Sequence, residues 1–232
     1  MREGFLRSAS FHFRALPCRR RATRRLRLKP PSHAALARWT HCAIAGTLQA
    51  PYVALAAPHM TDSRLAELQQ SVPGLRLKTD PADLEHYGRD WTRRWTPAPM
   101  AIALPASVDE VQAVVRWAKA NAVAIVPSGG RTGLSGGAVA ANGELVVSLE
   151  HMSQVIGFDA IDRTLTVQAG IPLQLAQDAA REHGLQYPVD FAARGSCSIG
   201  GNIATNAGGI RVVRYGNTRE WIAGLKLVTG EG

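Results

Sequence analysis

Apolar residues recur at helical spacing in two stretches of the chain. In residues 108–118, valines and alanines recur every three or four residues, the period of one helical face. Ser107 precedes this run and Glu110 follows three residues later, which is the arrangement of a capping box. We therefore predict a helix that begins after Ser107. A second helix is predicted to start at Pro172 and to stop at Gly184, by the usual preferences of these residues at helix ends.

Short apolar runs elsewhere have the length of strands. We predict strands at residues 101–105, 122–126, 145–149, 154–158, 164–169, 185–189 and 221–229. Strands 101–105 and 122–126 flank a helix, and this order implies a parallel pair. Two earlier helices, one ending near Gln70 and one from Pro81 to Tyr87, are interpreted as packing elements.

The positive charge of the chain is concentrated near its start. The 232 residues have a formal net charge of +9, and residues 1–59 hold eleven of the 27 Arg and Lys but one of the eighteen acids. Residues 60–232 are therefore close to neutral. We interpret residues 1–59 as a basic extension that is either unstructured or a targeting segment, with a natural start at Met60 as an alternative. A nucleic-acid-binding or membrane-binding arm is a rival interpretation, but the charge distribution does not favour it.

The remainder divides into two segments. Residues 60–100 are predicted to hold N-terminal helices and an arm rich in Trp and Arg, and residues 101–232 to form the regular domain. The chain stops at Gly230-Glu231-Gly232, a turn that looks like the start of a hairpin. We therefore expect the domain to be truncated at its C-terminal end.

The three cysteines predict neither a disulfide framework nor a metal site. Cys18 and Cys42 lie in the basic extension, and no CxxC pair is present. Cys197 is expected to be a small buried thiol. His151 follows a strand, and His183 precedes a helix stop. We therefore interpret both as solvated caps and not as catalysts. We accordingly predict no metal ligands and identify no catalytic residue.

Two glycine-rich loops are the most informative feature. The first, PSGGRTGLSGG, spans residues 127–137, and the second, GSCSIGGNIATNAGG, spans residues 195–209. Each follows a predicted strand, and open α/β sheets bind ligands at the carboxyl ends of their strands. Glycine lets several backbone N–H groups approach one anion. The pair therefore predicts one long phosphate-bearing ligand held at two places.

The loop sequences narrow the choice of ligand. The first loop fits neither the GxGxxG fingerprint nor the GK[ST] of nucleotide-triphosphate loops. It offers a main-chain cradle, hydroxyl donors and the single cation Arg131, a set suited to a pyrophosphate. The second loop is dense in amide and hydroxyl side chains, which can line a flat polar heterocycle.

The two loops together resemble a known family. PSGGRTGLSGG, followed by PVDFAARGSCSIGGNIATNAGGIRVVRYGN, is similar to the FAD-binding domain of the vanillyl-alcohol oxidase type, and within it to the FAD-linked D-2-hydroxy-acid dehydrogenases, over roughly residues 85 to 232. The resemblance implies an α+β fold with two subdomains that hold FAD between them. It also implies oxidation of a D-2-hydroxy acid to the 2-oxo acid by hydride transfer to flavin.

The resemblance also assigns residues to the cofactor. For the pyrophosphate it implies Ser128, Gly129, Gly130, Arg131, Thr132 and Gly133. For the flavin and its ribityl chain it implies Pro188, Asp190, Gly195, Ser196, Gly200, Gly201, Asn202, Thr205 and Asn206, with Ile222 near the adenine. Relatives with covalent flavin have His and Cys where this chain has Arg131 and Arg194, so a noncovalent FAD is implied.

The family's catalytic base, carboxylate-binding arginines and metal site lie in a second domain. The resemblance therefore implies that these 232 residues bind FAD but do not turn over a 2-hydroxy acid, and it leaves the electron acceptor open. Arg211, Arg214 and Tyr215 are candidates to approach an acidic substrate, with surface ion pairing as the alternative. An aldonolactone or alkyl-ether-lipid flavoenzyme and a non-enzymatic ligand module are the rivals. We expect a cytoplasmic location and leave peripheral membrane association open.

Overall fold

The computed structural model describes residues 10–14, 16–17 and 62–232. The strands are β1 Ser10–Arg14, β2 Leu16–Pro17, β3 Arg76–Lys78, β4 Ala101–Leu104, β5 Ile125–Ser128, β6 Leu145–Ser148, β7 Val155–Asp159, β8 Thr164–Gln168, β9 Leu185–Gln186 and β10 Ile222–Leu225. The helices are α1 Asp62–Ser71, α2 Pro81–Tyr87, α3 Val108–Ala120, α4 Leu173–Glu182, α5 Ile199–Thr205 and α6 Val212–Tyr215. Two short 3-10 turns, Ala192–Gly195 and Thr218–Trp221, flank α5 and α6.

The first sheet has the strand order β3-β4-β6-β5. Strand β3 is antiparallel to β4, whereas β4 and β5 both run parallel to β6. Both faces of β4 are covered: Ala101 and Ala103 pack in the main core with Val114 of α3, and Ile102 packs with Tyr87 of α2 on the other face. Burial on two faces explains why this strand is apolar at every position.

The sequence correctly predicts that β4 and β5 run in the same direction, but it wrongly predicts that they pair with each other. Strand β6 lies between them, with Ile102 and Val126 both in register with Val146. A crossover helix fixes the direction of the strands that it joins, but it does not exclude the insertion of a third strand.

The second sheet has the strand order β10-β1-β8-β7 and is antiparallel throughout. Strand β1 lies in its middle, where Phe11 is in register with Val167 on one side and with Leu225 on the other. A third, small sheet joins β2 to β9. Within the extension that was predicted to be unstructured or a targeting segment, residues 10–14 and 16–17 thus form strands. The division into segments 1–59, 60–100 and 101–232 otherwise stays a prediction.

The predicted helices are confirmed, while several strand ends shift. The hydroxyl of Ser107 caps α3 by accepting a hydrogen bond from Glu110 N at 3.2 Å. Strand β5 begins at Ile125 rather than at residue 122, since Ala122 has a φ of 53° and turns the chain. Strand β10 ends at Leu225, four residues before the predicted end. In residues 62–232, every helix is too short or too polar to cross a membrane.

Candidate functional site

The first glycine loop leaves the parallel sheet at the carboxyl end of β5. Arg131 adopts a left-handed conformation with a φ of 55°. Among the described residues, none accepts a hydrogen bond from the backbone amides of residues 129–135. Backbone donors are rarely left unpaired unless water or a ligand serves them. Seven consecutive amides are therefore available for a bound molecule.

The second glycine-rich segment, residues 195–209, is not a loop throughout, because a 3-10 turn leads into α5 and residues 199–205 are helical. Asp190 lies just before this turn. The hydroxyl of Ser198 caps α5 by accepting from Gly201 N at 3.3 Å. Asn206 ends the helix in the left-handed conformation, with a φ of 49°, and its Oδ1 accepts from Arg219 N at 3.0 Å. Both ends of α5 are thus fixed by residues of the loop itself.

The two loops touch each other through glycine. A Cβ on Gly130 would overlap the carbonyl oxygen of Ser196 and lie 2.7 Å from Cα of Cys197. A Cβ on Gly129 would overlap the hydroxyl of Ser198. The absence of side chains at Gly129 and Gly130 is therefore what allows the loops to meet, and the predicted approach of the two loops is observed.

Two buried hydroxyls lie at the ends of the strands beside the first loop. Ser128 in β5 and Ser148 in β6 are in register, and both are at most 2% exposed. Neither hydroxyl has a hydrogen-bond partner among the described residues. Buried polar atoms of this kind mark places where a ligand or an ordered water is expected.

The arm before β4 holds the outer part of the first loop. The carboxylate of Asp90, which is 3% exposed, accepts from Gly136 N at 3.0 Å. Trp91 N donates to the carbonyl of Gly133 at 3.2 Å. The Arg131 guanidinium also contacts His86 and Tyr87 of α2. Residues 86–91, from the segment predicted to hold N-terminal helices and an arm, therefore also support the first glycine loop.

Asp190 joins the second loop to two arginines. Its carboxylate pairs with Arg194 at 3.2 Å and with Arg211 at 3.3 Å, and its backbone bridges to Gly209. A cavity of about 230 Å³ lies beside it. The residues lining this cavity are Gln177, Arg181, Gln186, Tyr187, Asp190, Arg194 and Arg211. Of the three substrate-approach candidates, Arg211 is thus ion-paired, and Arg214 lies over the ring of Tyr215 at 5.2 Å.

The remaining predicted residues are distributed between buried and exposed positions. Buried ones are Pro188, Gly200 and Asn202; exposed ones are Gly133, Gly195, Ser196, Gly201 and Thr205; Thr132 is half-buried. The amide of Asn202 contacts Cys197 Sγ at 3.6 Å, and the hydroxyl of Thr205 donates to the carbonyl of Gly201 at 2.9 Å. Ile222 lies half-buried in β10, and its position near the adenine stays a prediction.

Cys197 is a small buried thiol, as predicted. It is 3% exposed, and burial raises the pKa of its thiol. His183 stacks on Phe158 with ring centroids 3.8 Å apart, and His151 lies 3.4 Å from Arg76 Nη1. In residues 62–232, no cluster of three or more His, Cys, Asp or Glu side chains could hold a metal ion.

Sequence analysis missed four residues that shape the site: Ser198, His86, Tyr87 and Asp90. Ser198 carries a recognisable signal, since a serine three residues before Gly201 at a helix start is a typical cap. For His86, Tyr87 and Asp90 the contacts that matter to the first loop carry no local signal, because they join residues more than forty positions apart in the chain.

Comparison with known proteins shows a clear family relationship. Residues 99–232 match the FAD binding domain family. The chain is 79% identical over 173 residues to the D-2-hydroxyglutarate dehydrogenase of Xanthomonas citri pv. viticola, and 38% identical over 173 residues to the mitochondrial D-2-hydroxyglutarate dehydrogenase of Bos taurus. Each match covers 75% of this chain, but only 37% and 32% of those relatives. The chain thus spans about a third of the length of the curated relatives that it matches.

The structure is also similar to solved structures. One is described as alkyldihydroxyacetonephosphate synthase, with a TM-score of 0.63 and 22% sequence identity over 69% of this chain and 32% of that one. The likeness confirms the predicted α+β FAD-binding fold of the vanillyl-alcohol oxidase type. Together with the family match over residues 99–232, this similarity shows that the chain belongs to the FAD binding domain family.

Proposed function

We propose that the chain is the FAD-binding part of a flavin-dependent dehydrogenase that oxidises a D-2-hydroxy acid. The observation that carries the proposal is the contact between the two glycine loops beside seven amides, residues 129–135, that have no hydrogen-bond partner in the described part of the chain. Consecutive backbone N–H groups around a left-handed residue such as Arg131 suit a doubly charged phosphate linkage. A dinucleotide that spans both loops satisfies this geometry.

The proposed division of roles follows the two loops. The backbone from Gly129 to Gly133, with the hydroxyls of Ser128 and Thr132, holds the diphosphate. The polar residues of the second loop line the flavin and its ribityl chain, and Ile222 lies toward the adenine. The buried hydroxyl of Ser128, which has no partner among the described residues, supports a hydrogen bond to the ligand.

We propose that the FAD is bound noncovalently. Arg131 and Arg194 stand where covalent relatives have their linking residues, and guanidinium groups are not nucleophiles at neutral pH. Both are also engaged within the protein, Arg131 with His86 and Arg194 with Asp190. Cys197 is buried and its raised pKa disfavours the thiolate, so it is a poor substitute for a linking cysteine.

The flavin supplies the redox chemistry by accepting a hydride, and the residues of this chain bind and orient it. The pairing of Asp190 with Arg194 and Arg211 fixes the conformation of the second loop at the flavin end of the site. The glycine contact between the loops keeps the diphosphate and flavin positions at a constant separation. We assign no general base to the described residues.

The substrate we propose is D-2-hydroxyglutarate or a closely related D-2-hydroxy acid. Two relatives with this activity in their names share 79% and 38% of residues with the chain over 173 positions each. The solved structure described as alkyldihydroxyacetonephosphate synthase shares 22% of residues with the chain, which supports a common fold but not a common substrate. The basic cluster at residues 19–29, on which a nucleic-acid or membrane role depends, lies outside the described residues.

A two-stage experiment tests this function. In the first stage, the 232-residue chain is mixed with FAD and freed of unbound ligand by gel filtration. We expect flavin absorbance to follow the protein and to be released completely by acid precipitation. Colourless protein would contradict FAD binding, and flavin that stays in the precipitate would contradict noncovalent attachment.

The second stage tests the substrate. The chain is extended with the downstream sequence of the 79% identical relative, and the flavin spectrum is recorded without oxygen. We expect D-2-hydroxyglutarate to bleach the flavin, while its L-enantiomer leaves the spectrum unchanged. Bleaching by neither enantiomer would reject the proposed substrate, without affecting the result for FAD binding.

A further inference from the structure

We propose that His86 is a positioning residue for FAD, because in its neutral form it holds Arg131 and thereby keeps the first glycine loop in its anion-binding shape. The inference deepens the proposed function and rests on it. His86 lies at the end of α2, forty-five residues before Arg131 in the sequence.

Three contacts fix the side chain of Arg131. Its Nη1 donates to the carbonyl of Gly129 at 3.1 Å, and its Nη2 donates to Nε2 of His86 at 3.0 Å. The guanidinium carbon lies 4.6 Å from the centre of the Tyr87 ring, within range of a cation–π interaction. The first of these contacts lies within the loop, and the other two tie the loop to α2.

Tyr87 provides a rigid surface for this contact. Its side chain is 5% exposed, its hydroxyl donates to the carboxylate of Glu150, and Lys78 lies over its ring at 5.2 Å. Glu150 follows β6, and Lys78 belongs to β3. The Tyr87 ring under Arg131 is therefore held by a residue of β3 and by the residue two positions after β6, both at the first sheet.

The backbone of Arg131 explains why its side chain needs support. A left-handed φ of 55° is strained for a residue with a Cβ. A left-handed residue within a run of unpaired amides turns neighbouring N–H groups toward the same side, which forms an anion-binding concavity. Contacts that hold the Arg131 side chain therefore favour the backbone shape that the diphosphate requires.

The contact depends on the protonation of His86. Neutral imidazole with its proton on Nδ1 accepts from Arg131 through Nε2, whereas imidazolium has no acceptor and adds a second positive charge at 3.0 Å. Desolvation of the ring, together with the nearby charge of Arg131 and of Arg89, lowers the pKa of His86, and Glu150 and Asp83 oppose this shift. The contact is thus present at neutral pH and is lost as the pH falls through the pKa of His86.

Three variants separate positioning from simple packing. His86→Gln offers an acceptor at similar reach that does not titrate, and His86→Phe removes the acceptor. His183→Gln is the matched control, because His183 stacks on Phe158 in another part of the domain. FAD affinity is measured by flavin fluorescence at low salt for the 232-residue chain, between about pH 5 and about pH 8.

We expect wild-type affinity for FAD to fall by about threefold to fivefold toward acid pH, the range of a partly exposed charged contact. The His86→Gln variant should keep the neutral-pH affinity throughout, and His86→Phe should be weak at every pH. The His183→Gln variant should retain the wild-type profile. Identical pH profiles for wild type and His86→Gln would overturn the proposal.

A second measurement does not depend on FAD. The titration of the His86 ring is followed by NMR in wild type and in Arg131→Gln. We expect the pKa of His86 to rise in the variant, because a neighbouring positive charge is removed, and an unchanged pKa would overturn the contact. If no FAD binds at any pH, the proposed function fails, and this titration still decides whether His86 and Arg131 are coupled.

Discussion

Gly130 and Ser196 are in backbone contact, and the space between them excludes even a methyl group. The carbonyl oxygen of Ser196 occupies the position that a Cβ on Gly130 would take. Two loops that are more than sixty residues apart in the chain are therefore held together by main-chain packing. The amides beside this contact have no hydrogen-bond partner among the residues that the structure describes.

Replacement of Gly130 by alanine should separate the two loops. The obstructing atoms are backbone, so relief requires movement of the second loop, and overpacking of this kind costs about 1–3 kcal/mol. We expect a loss of that size in urea unfolding and a loss of FAD binding. Gly137→Ala is the matched control, because a Cβ there meets nothing within 4 Å. Equal behaviour of the two variants would show that the glycine contact is unimportant.

Two serines that cap helices allow an effect on protein stability to be separated from an effect on FAD binding. Ser198 caps α5 at 3.3 Å beside Gly129, and Ser107 caps α3 at 3.2 Å away from the loops. Each change to alanine should lower the free energy of unfolding by about 1 kcal/mol. Only Ser198→Ala should also weaken FAD binding, by about fivefold. Equal FAD affinities in the two variants would contradict the role of Ser198 at the contact between the loops.

Asp190→Asn should destabilise the second loop. Its side chain is only 9% exposed and compensates two half-exposed guanidiniums, those of Arg194 and Arg211. Loss of these charged hydrogen bonds should cost about 1–3 kcal/mol in chemical unfolding. Asp178→Asn removes the exposed ion pair with Arg181 instead, and should change stability by about 0.5 kcal/mol or less. The prediction is wrong if the two variants unfold alike.

Asp90 should make stability depend on acid pH. Burial raises the pKa of this carboxyl, but hydrogen bonds from Thr92 and Gly136 outweigh burial, and the pKa lies below its ordinary value. A lowered pKa contributes stability above the unfolded value of about 3.9, and this contribution is lost as the pH falls through the folded pKa. The difference in unfolding free energy between wild type and Asp90→Asn should therefore shrink below about pH 4. A constant difference from neutral pH down to acid would contradict this.

Local patterns predict α1 to α4 and the first glycine loop correctly, but they do not predict α5, which occupies residues 199–205 of the second glycine-rich segment, or α6. The capping box at Ser107 and the apolar period that follows it depend on residues three or four positions apart, and such signals can be read directly from the chain. The glycine clusters are equally local. Their approach was predicted from the position of each loop after a strand, and it is observed between Gly130 and Ser196.

Relationships over long distances in the chain were missed. The insertion of β6 between β4 and β5 depends on the strand order, and no pattern within either strand encodes that order. The position of β1 between β8 and β10 was also missed, because the strongly basic segment that contains β1 does not indicate which strands it pairs with. The support of Arg131 by His86 depends on the three-dimensional course of the chain, because each residue taken alone resembles an ordinary surface side chain.

The central claim is that the first glycine loop binds the diphosphate of FAD where the second loop meets it. The most direct test is an NMR titration of the 232-residue chain, labelled with ¹⁵N at glycine, with FAD and with riboflavin. We predict that FAD shifts the amide signals of Gly129, Gly130 and Gly133 and leaves those of Gly143 and Gly184 in place, while riboflavin, which lacks the diphosphate, has little effect on the first loop. Unchanged signals from Gly129, Gly130 and Gly133 at saturating FAD would contradict the account.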